Sequence, residues 1–324
     1  MKEEKPEPKV LVTRELLPEA MEFLRDRAKV EVGAVGRDLG REELLAKIAD
    51  KTGVLSMLTD VIDREVLDRA PGLKIIANCA VGTNNIDVPQ ARSRGILVTN
   101  TPGVLTETTA ELALALILAV LRRLPQADRF TREKKFKGWA LDQWLGKDLR
   151  GARLGIIGFG RIGRAVALRA TAFGAEVVYH DPQRVPPDIE RFYKTAYLPL
   201  DELLKTSDIV TIHAGLSAAT HHLLSKERLA LMKKEAVLIN AARGPIVDEK
   251  ALAEALAEGR LWGAGLDVYE REPEVEEKLL SLDNVVLLPH IGSATYATRL
   301  KMAMTAARNL IQGVYGARPD NLVF

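Results

Sequence analysis

Four short stretches carry residue types that can hold an anionic ligand or move a proton. The first is residues 154–163, LGIIGFGRIG, in which an apolar run enters Gly158-Phe159-Gly160-Arg161-Ile162-Gly163. Glycine is required there three times: Gly158 for a tight turn, Gly160 so that backbone can approach a pyrophosphate, and Gly163 so that helix and strand pack closely. The helix expected over 164–172 would then turn its free N–H groups toward the phosphates. A second strand, 176–179, ends in His180-Asp181, and Asp181 lies 18 residues beyond Gly163. An acid at that distance accepts hydrogen bonds from a ribose and repels a 2′-phosphate. Strand, glycine loop, helix and acid together read as a dinucleotide cradle.

The other three stretches bear groups suited to acid–base and carboxylate chemistry. His290 follows the apolar run 285–288 and Pro289, where a parallel sheet presents its ligands. An imidazole titrates near neutral pH and suits proton transfer to a carbonyl oxygen; a buried, satisfied histidine is the plainer alternative. Arg243 closes INAARGP at another strand end, where a guanidinium can grip a carboxylate in two-pronged fashion or simply form a surface ion pair. The loop DVYEREP carries Asp267, Glu270 and Glu272, and spacing does not choose which of them would touch His290. His221 and His222 read as surface or packing residues, and His180 and His213 end strands toward the cofactor edge.

These positions fall at the ends of alternating elements. Strands are expected at 9–13, 30–32, 53–58, 73–78 and 96–98, with helices at 18–27, 41–50, 63–70 and 88–94. A second alternation starts at 153, with further strands at 208–213, 236–240, 261–266 and 285–288 and helices at 200–205, 226–233 and 249–258. Such alternation predicts parallel sheets with helices on both faces, an α/β fold of two doubly wound domains. The boundaries are placed at 1–103 with 290–324 for one domain and 104–289 for the other. The helix over 106–123 has a long apolar face expected to be buried between domains or subunits. A last helix is expected over 294–315. The segment 122–150 is basic and aromatic, with Phe130, Phe136, Trp139 and Trp144, but the interleaved Asp128, Glu133, Asp142 and Asp148 argue for a solvated arm over a nucleic-acid surface.

Composition narrows the class. The chain has 324 residues, 47% of them hydrophobic, and a formal net charge of +2 that favours neither nucleic acid nor an anionic membrane. Its single cysteine, Cys79, excludes an internal disulfide and a multi-cysteine metal site. No His, Asp and Glu cluster shows ligand spacing, so no metal is expected. The charged, proline-spaced N-terminus has no signal-peptide apolar segment, and the longest apolar run, 112–121, is well short of the roughly 20 residues of a membrane span. A soluble, cytoplasmic protein is expected.

The motifs AVGTNNIDV, TNTPGVLTETTAELALALIL, GIIGFGRIG, NAARGPIVDE, GAGLDVYEREP and PHIGSAT together resemble the D-isomer-specific 2-hydroxyacid dehydrogenase family over essentially the whole chain. SMLTDVID and LDNVVLLPHIGSAT are most similar to its glyoxylate/hydroxypyruvate reductase branch. The resemblance implies a Rossmann NAD domain plus a flavodoxin-like substrate domain, and NAD(P)H-dependent reduction of a small 2-oxo acid to the D-2-hydroxy acid. It assigns Arg243 to substrate carboxylate and carbonyl, Glu272 to pairing with the histidine, and His290 to the general acid. It assigns the amides of Val81 and Gly82 to the carboxylate and Leu58 to a pocket that limits substrate bulk. Toward the cofactor it implies Gly158, Gly160, Arg161, Ile162, Gly163 and Asp181, with Thr109, Ala214, Gly215, Thr220, Ala241, Arg243, Asp267, His290 and Gly292. Many glyoxylate reductases carry small or basic residues at the Asp181 position and use NADPH. Asp181 therefore favours NADH, although Arg184 lies close enough to accommodate a phosphate. Asn84 stands where the family often has aspartate. The resemblance also implies a homodimer joined through 104–150. It leaves three rival activities, on phosphoglycerate, phosphonates and other 2-oxo acids, and one rival of another class, a cofactor-sensing corepressor.

Overall fold

The computed structural model describes residues 7–324, and the chain divides into two compact units, Met1–Leu105 with Ala294–Phe324, and Thr106–Ser293. The expectation for the N-terminal stretch lies, over residues 1–6, outside the described residues.

The first unit alternates β1 (Lys9–Arg14), α1 (Pro18–Arg25), β2 (Lys29–Ala34), α2 (Arg41–Lys47), β3 (Gly53–Ser56), α3 (Arg64–Arg69), β4 (Ile75–Asn78), α4 (Val88–Ser93) and β5 (Leu97–Thr99). Its five strands are all parallel in the order β2-β1-β3-β4-β5. Successive side chains of a strand point to opposite faces. Leu11, Val54 and Ile76 accordingly join one buried cluster, while Val10, Val12, Leu55 and Ile75 join the other. Sequence cues fix the starts of helices here: Asp63 and Asp87 accept hydrogen bonds from the amides of Val66 and Gln90 at 3.2 and 3.0 Å. The C-terminal helix, Tyr296–Val314, closes one face. It lies so close that a Cβ at Gly313 would stand 2.4 Å from the Ile75 side chain.

The second unit opens with α5 (Thr106–Leu121) and α6 (Leu124–Arg132). It continues through β6 (Arg153–Ile157), α7 (Arg161–Ala172), β7 (Glu176–His180), α8 (Pro187–Tyr193), β8 (Thr195–Tyr197), α9 (Leu200–Thr206), β9 (Ile209–Ile212) and α10 (Lys226–Leu229). After these come β10 (Val237–Asn240), α11 (Glu249–Ala257), β11 (Gly263–Leu266), α12 (Glu277–Leu280) and β12 (Val285–Leu287). The seven parallel strands run β12-β11-β10-β9-β6-β7-β8. The order reverses between β6 and β9, and ligands of open α/β sheets bind at such a switch point.

The structure differs from the sequence reading in particulars. α7 begins at Arg161, so the last three residues of the glycine motif form its first turn. α10 ends at Leu229, four residues early, and α6, α8, β8 and α12 had no counterpart in the expected elements. The apolar face of α5 is buried inside its own unit, where Ala113, Leu116, Ile117 and Val120 join the core beneath β10, β11 and β12. The unit boundaries fall at 105/106 and 293/294 instead of 103/104 and 289/290. The second shift has a direct cause: Asp267 in the second unit holds the amides of Ile291 and Gly292, and the Thr109 hydroxyl donates to the Gly292 carbonyl at 3.1 Å. No helix of the described residues is long and apolar enough to cross a membrane.

Candidate active site

The glycine loop leaves β6 at the switch point. Gly158 has φ +90°, and a Cβ there would lie 2.6 Å from the Ala214 amide; at Gly163 it would lie 2.2 Å from the Gly158 carbonyl. Over Gly160, by contrast, nothing lies within 4 Å. The first hydrogen bond of α7 runs from Arg164 N to Gly160 O at 3.0 Å, so the amides of Arg161, Ile162 and Gly163 precede any intrahelical acceptor. An open space faced by free amides at a helix N-terminus fits a pyrophosphate. Asp181, just past β7, is tied to the same loop: its Oδ2 accepts from Phe159 N at 2.9 Å and its Oδ1 from Gln183 N at 3.1 Å. Carboxylate oxygens accept more than one bond each, so capacity for ribose hydroxyls remains. Across the switch point, Thr220 closes the loop carrying Ala214 and Gly215, donating to the Gly215 carbonyl at 2.7 Å and accepting from Ser217 N at 2.8 Å. The residues present therefore fit a dinucleotide.

Three strand ends then supply charge. After β10, Asn240 folds the loop on itself: its Nδ2 donates to Arg243 O at 2.9 Å and its Oδ1 accepts from Ala242 N at 3.1 Å, with Ala241 between them. Arg243 is half-buried, and its Nη1 donates to Ala242 O at 2.7 Å. The next residue, Gly244, lies against the loop after β11 so tightly that a Cβ would stand 1.8 Å from the Tyr269 carbonyl carbon. This close approach brings the Arg243 and Glu272 segments together.

Each of the three acids after β11 has its own task. Asp267, buried to 1% exposure, accepts from Ile291 N at 2.7 Å and Gly292 N at 2.8 Å, fixing the loop that follows β12. Glu270 Oε1 meets His222 Nε2 at 2.9 Å and its backbone N–H donates to the buried Glu249 at 2.7 Å. Glu272 Oε2 lies 2.9 Å from His290 Nδ1, while its Oε1 accepts from Tyr269 N at 3.1 Å. His290 itself has φ +54°, a left-handed conformation costly for a residue with a side chain and kept only where the surroundings impose it. With Nδ1 committed to Glu272, Nε2 is the nitrogen left to exchange a proton.

Electrostatics distinguish these groups. Burial works to raise the Glu272 carboxyl, but the His290 hydrogen bond and charge, the Tyr269 amide and Arg243 outweigh it and hold the group below the ordinary carboxylate value. Asp267 moves the opposite way, upward, because burial dominates its two amide bonds. Burial also lowers the Arg243 guanidinium, an effect Glu272 opposes; arginine keeps its charge regardless. His213, just past β9, is pushed down to about 3 by burial alone, which keeps it neutral.

In the first unit, the loop after β4 is held by its carbonyls. Asn100 Nδ2 donates to Val81 O and Asn78 Nδ2 to Gly82 O, both at 2.8 Å. Asn85, donating to Met57 O and Asp60 O at 3.0 Å, ties this loop to the turn bearing Leu58, which is half-buried. The arrangement leaves the amides of Val81 and Gly82 outside the loop's own hydrogen bonding. Elsewhere in the second unit the ligating atoms of His221, His222 and Glu270 lie within 4.8 Å of one another. This corrects the expectation that no such cluster exists, because Glu270 arrives from 48 residues away.

A family model for the NAD-binding domain of D-isomer specific 2-hydroxyacid dehydrogenases matches residues 114–292. This chain belongs to that family. Glyoxylate reductase of Thermococcus onnurineus is 48% identical over 98% of this dehydrogenase and 96% of its own length. A crystal structure of a Thermus thermophilus protein has a TM-score of 0.91 and 48% identity, covering 98% of this chain and all of that one. The NADPH-dependent glyoxylate/hydroxypyruvate reductase of Sinorhizobium meliloti, solved with NADP and malonate, has a TM-score of 0.87 at 34% identity, covering 98% and 97% of the two chains.

The dehydrogenase is thus an oxidoreductase of a family that reduces 2-oxo acids, and its second unit contains the NAD-binding domain. The residue pattern points to Arg243 and His290, and the family resemblance to Glu272, but neither points to the groups that hold them. Asn240 sits in the very motif that was read, and an asparagine two residues before a turn is a recognisable local clamp. The bonds that Glu249 accepts from the amides of Glu270 and Glu276 (both 2.7 Å) leave no trace in sequence spacing.

Proposed function

We propose that this chain reduces glyoxylate to glycolate, or hydroxypyruvate to the corresponding D-2-hydroxy acid, with NADH. The observation that carries the reading is the His290–Glu272 pair at 2.9 Å, set at the ends of the strands that also present Arg243 and the dinucleotide cradle. A bound reduced nicotinamide supplies a hydride to C2 of the 2-oxo acid. The protein's share is positioning and proton transfer. Glu272 stabilises the imidazolium and orients its ring, so that Nε2 donates to the carbonyl oxygen as negative charge develops there. Arg243 places a fixed cation beside that oxygen and the carboxylate, in a site already organised before reaction. The amides of Val81 and Gly82 take the carboxylate, and Leu58 limits the side chain admitted. In this reading the first unit is the substrate domain, and Thr109, Ala214, Gly215, Thr220, Ala241, Asp267 and Gly292 line the cofactor.

Asp181 supports NADH. The arm after α6 supports a homodimer: Phe136, Trp139, Leu141 and Leu145 are 56 to 81% exposed, a density of apolar surface that marks interaction sites. The reading places the enzyme in the cytoplasm, in keeping with its balanced charge and single cysteine. The test is consumption of NADH and NADPH with glyoxylate, hydroxypyruvate, pyruvate and 2-oxoglutarate. Fast turnover of the first two with NADH supports the proposal, and turnover confined to the bulkier acids contradicts it.

A further inference from the structure

Arg184 stands three residues beyond Asp181, on the loop that a bound adenosine ribose meets in this fold. Arginine near this place is the residue type that accommodates a 2′-phosphate. In this chain the guanidinium is already engaged. Its Nε donates to Glu190 Oε1 and its Nη2 to Glu190 Oε2, both at 2.9 Å, the fork geometry of a strong ion pair. Glu190 is no mobile surface acid: its side chain is 12% exposed, against 62% for Arg184. From beneath, the hydroxyl of the fully buried Tyr179 donates to Glu190 Oε1 at 2.9 Å and accepts from Val185 N at 3.0 Å. The guanidinium carbon also lies over the Tyr197 ring, 5.7 Å from its centroid. Pairing holds the Glu190 carboxyl below, and Arg184 above, their ordinary values. A phosphate arriving at the ribose would therefore meet two carboxylates, Asp181 and Glu190, and an arginine whose charge is already balanced.

We propose that Glu190 is a specificity-determining residue: anchored on Tyr179, it holds Arg184 in a two-pronged ion pair and withholds the guanidinium from a 2′-phosphate, so that NADH is taken in preference to NADPH. The inference rests on the reading of Asp181 as the acid that meets the ribose. Asp181 repels the phosphate, and Glu190 removes the cation that would otherwise compensate. Discrimination then has two separable components, one at each acid.

The test uses the full-length chain and calorimetric binding of adenosine 5′-diphosphate and adenosine 2′,5′-bisphosphate, alongside kcat/KM for NADH and NADPH. Glu190→Gln keeps the bond to Tyr179 and removes the charge. It is expected to tighten the 2′,5′-bisphosphate about tenfold, the scale of one charge-assisted hydrogen bond, and to leave the 5′-diphosphate unchanged. Adding Arg184→Ala should erase the gain, and combining Glu190→Gln with Asp181→Ser should exceed either alone. Should the glutamine variant fail to fold, Glu190→Asp, too short for both prongs, is expected to give a smaller gain in the same direction. An unchanged preference in folded Glu190 variants, or a gain that survives Arg184→Ala, overturns the proposal. A wild type that binds neither nucleotide overturns the dinucleotide reading beneath it.

Discussion

His290 combines a left-handed backbone, a carboxylate on Nδ1 and an Nε2 that makes no hydrogen bond among the described residues. His290→Ala should lower kcat by about 10²- to 10⁴-fold, the usual span for losing a general acid, while the Kd for NADH measured by fluorescence stays within a factor of two or so. Full activity in that variant would remove the histidine from the mechanism. Glu272 makes a pH prediction. Its carboxyl lies below the ordinary 4.5 in the folded protein, so near that pH the unfolded chain binds more protons there than the native one. Its contribution to stability is thus complete above about 4.5 and is lost as pH falls through the lower native value. Thermal unfolding of Glu272→Gln should therefore fall off less steeply in acid than that of the wild type. Arg243 and His290 were legible as residues because they close recognisable strand-end motifs. Glu272 was not legible from spacing, since three acids share its loop. The choice is made by a 2.9 Å contact with a residue 18 positions away.

At the scale of elements, the site depends on loops pressed together after β10 and β11. Gly244→Ala would drive a methyl group to within 1.8 Å of Tyr269 backbone, which no side-chain rotation relieves. Separation of the two loops should cost about 1–3 kcal/mol, visible in the denaturant midpoint, with activity falling further than stability alone explains. Beside the glycine loop, His213 adds a second pH signature. Its ordinary value is 6.5 and its folded value about 3, so between these the unfolded chain takes up a proton that the native state refuses. Stability should fall as pH drops from 6.5 toward 3, and His213→Gln should flatten that slope in thermal melts. Elements with a long apolar period, such as α5 and the strands flanking the glycine loop, could be read directly. β8 could not, because its three residues, half-buried Thr195 and Tyr197 around exposed Ala196, carry no alternation long enough to register. α6 was hidden for the related reason that none of its residues is buried.

Over the whole molecule, two doubly wound sheets were foreseeable from alternation alone, because parallel strands buried on both faces read as short apolar runs between helices. The junctions were less so. The second boundary lies where Asp267 claims the amides of Ile291 and Gly292, a long-range contact without local signature. The homodimer proposed above is tested at the arm after α6. Replacing Trp139 and Leu141 together by aspartate should convert a dimer into a monomer in sedimentation equilibrium, and an unaltered mass would place the interface elsewhere. The most direct test of the central claim is the rate of NADH oxidation by the wild type and His290→Ala with glyoxylate and hydroxypyruvate. We predict rapid turnover by the wild type and its near-complete loss in the variant, with NADH still bound. A wild type inert toward both acids, or a variant as fast as the wild type, would contradict the account.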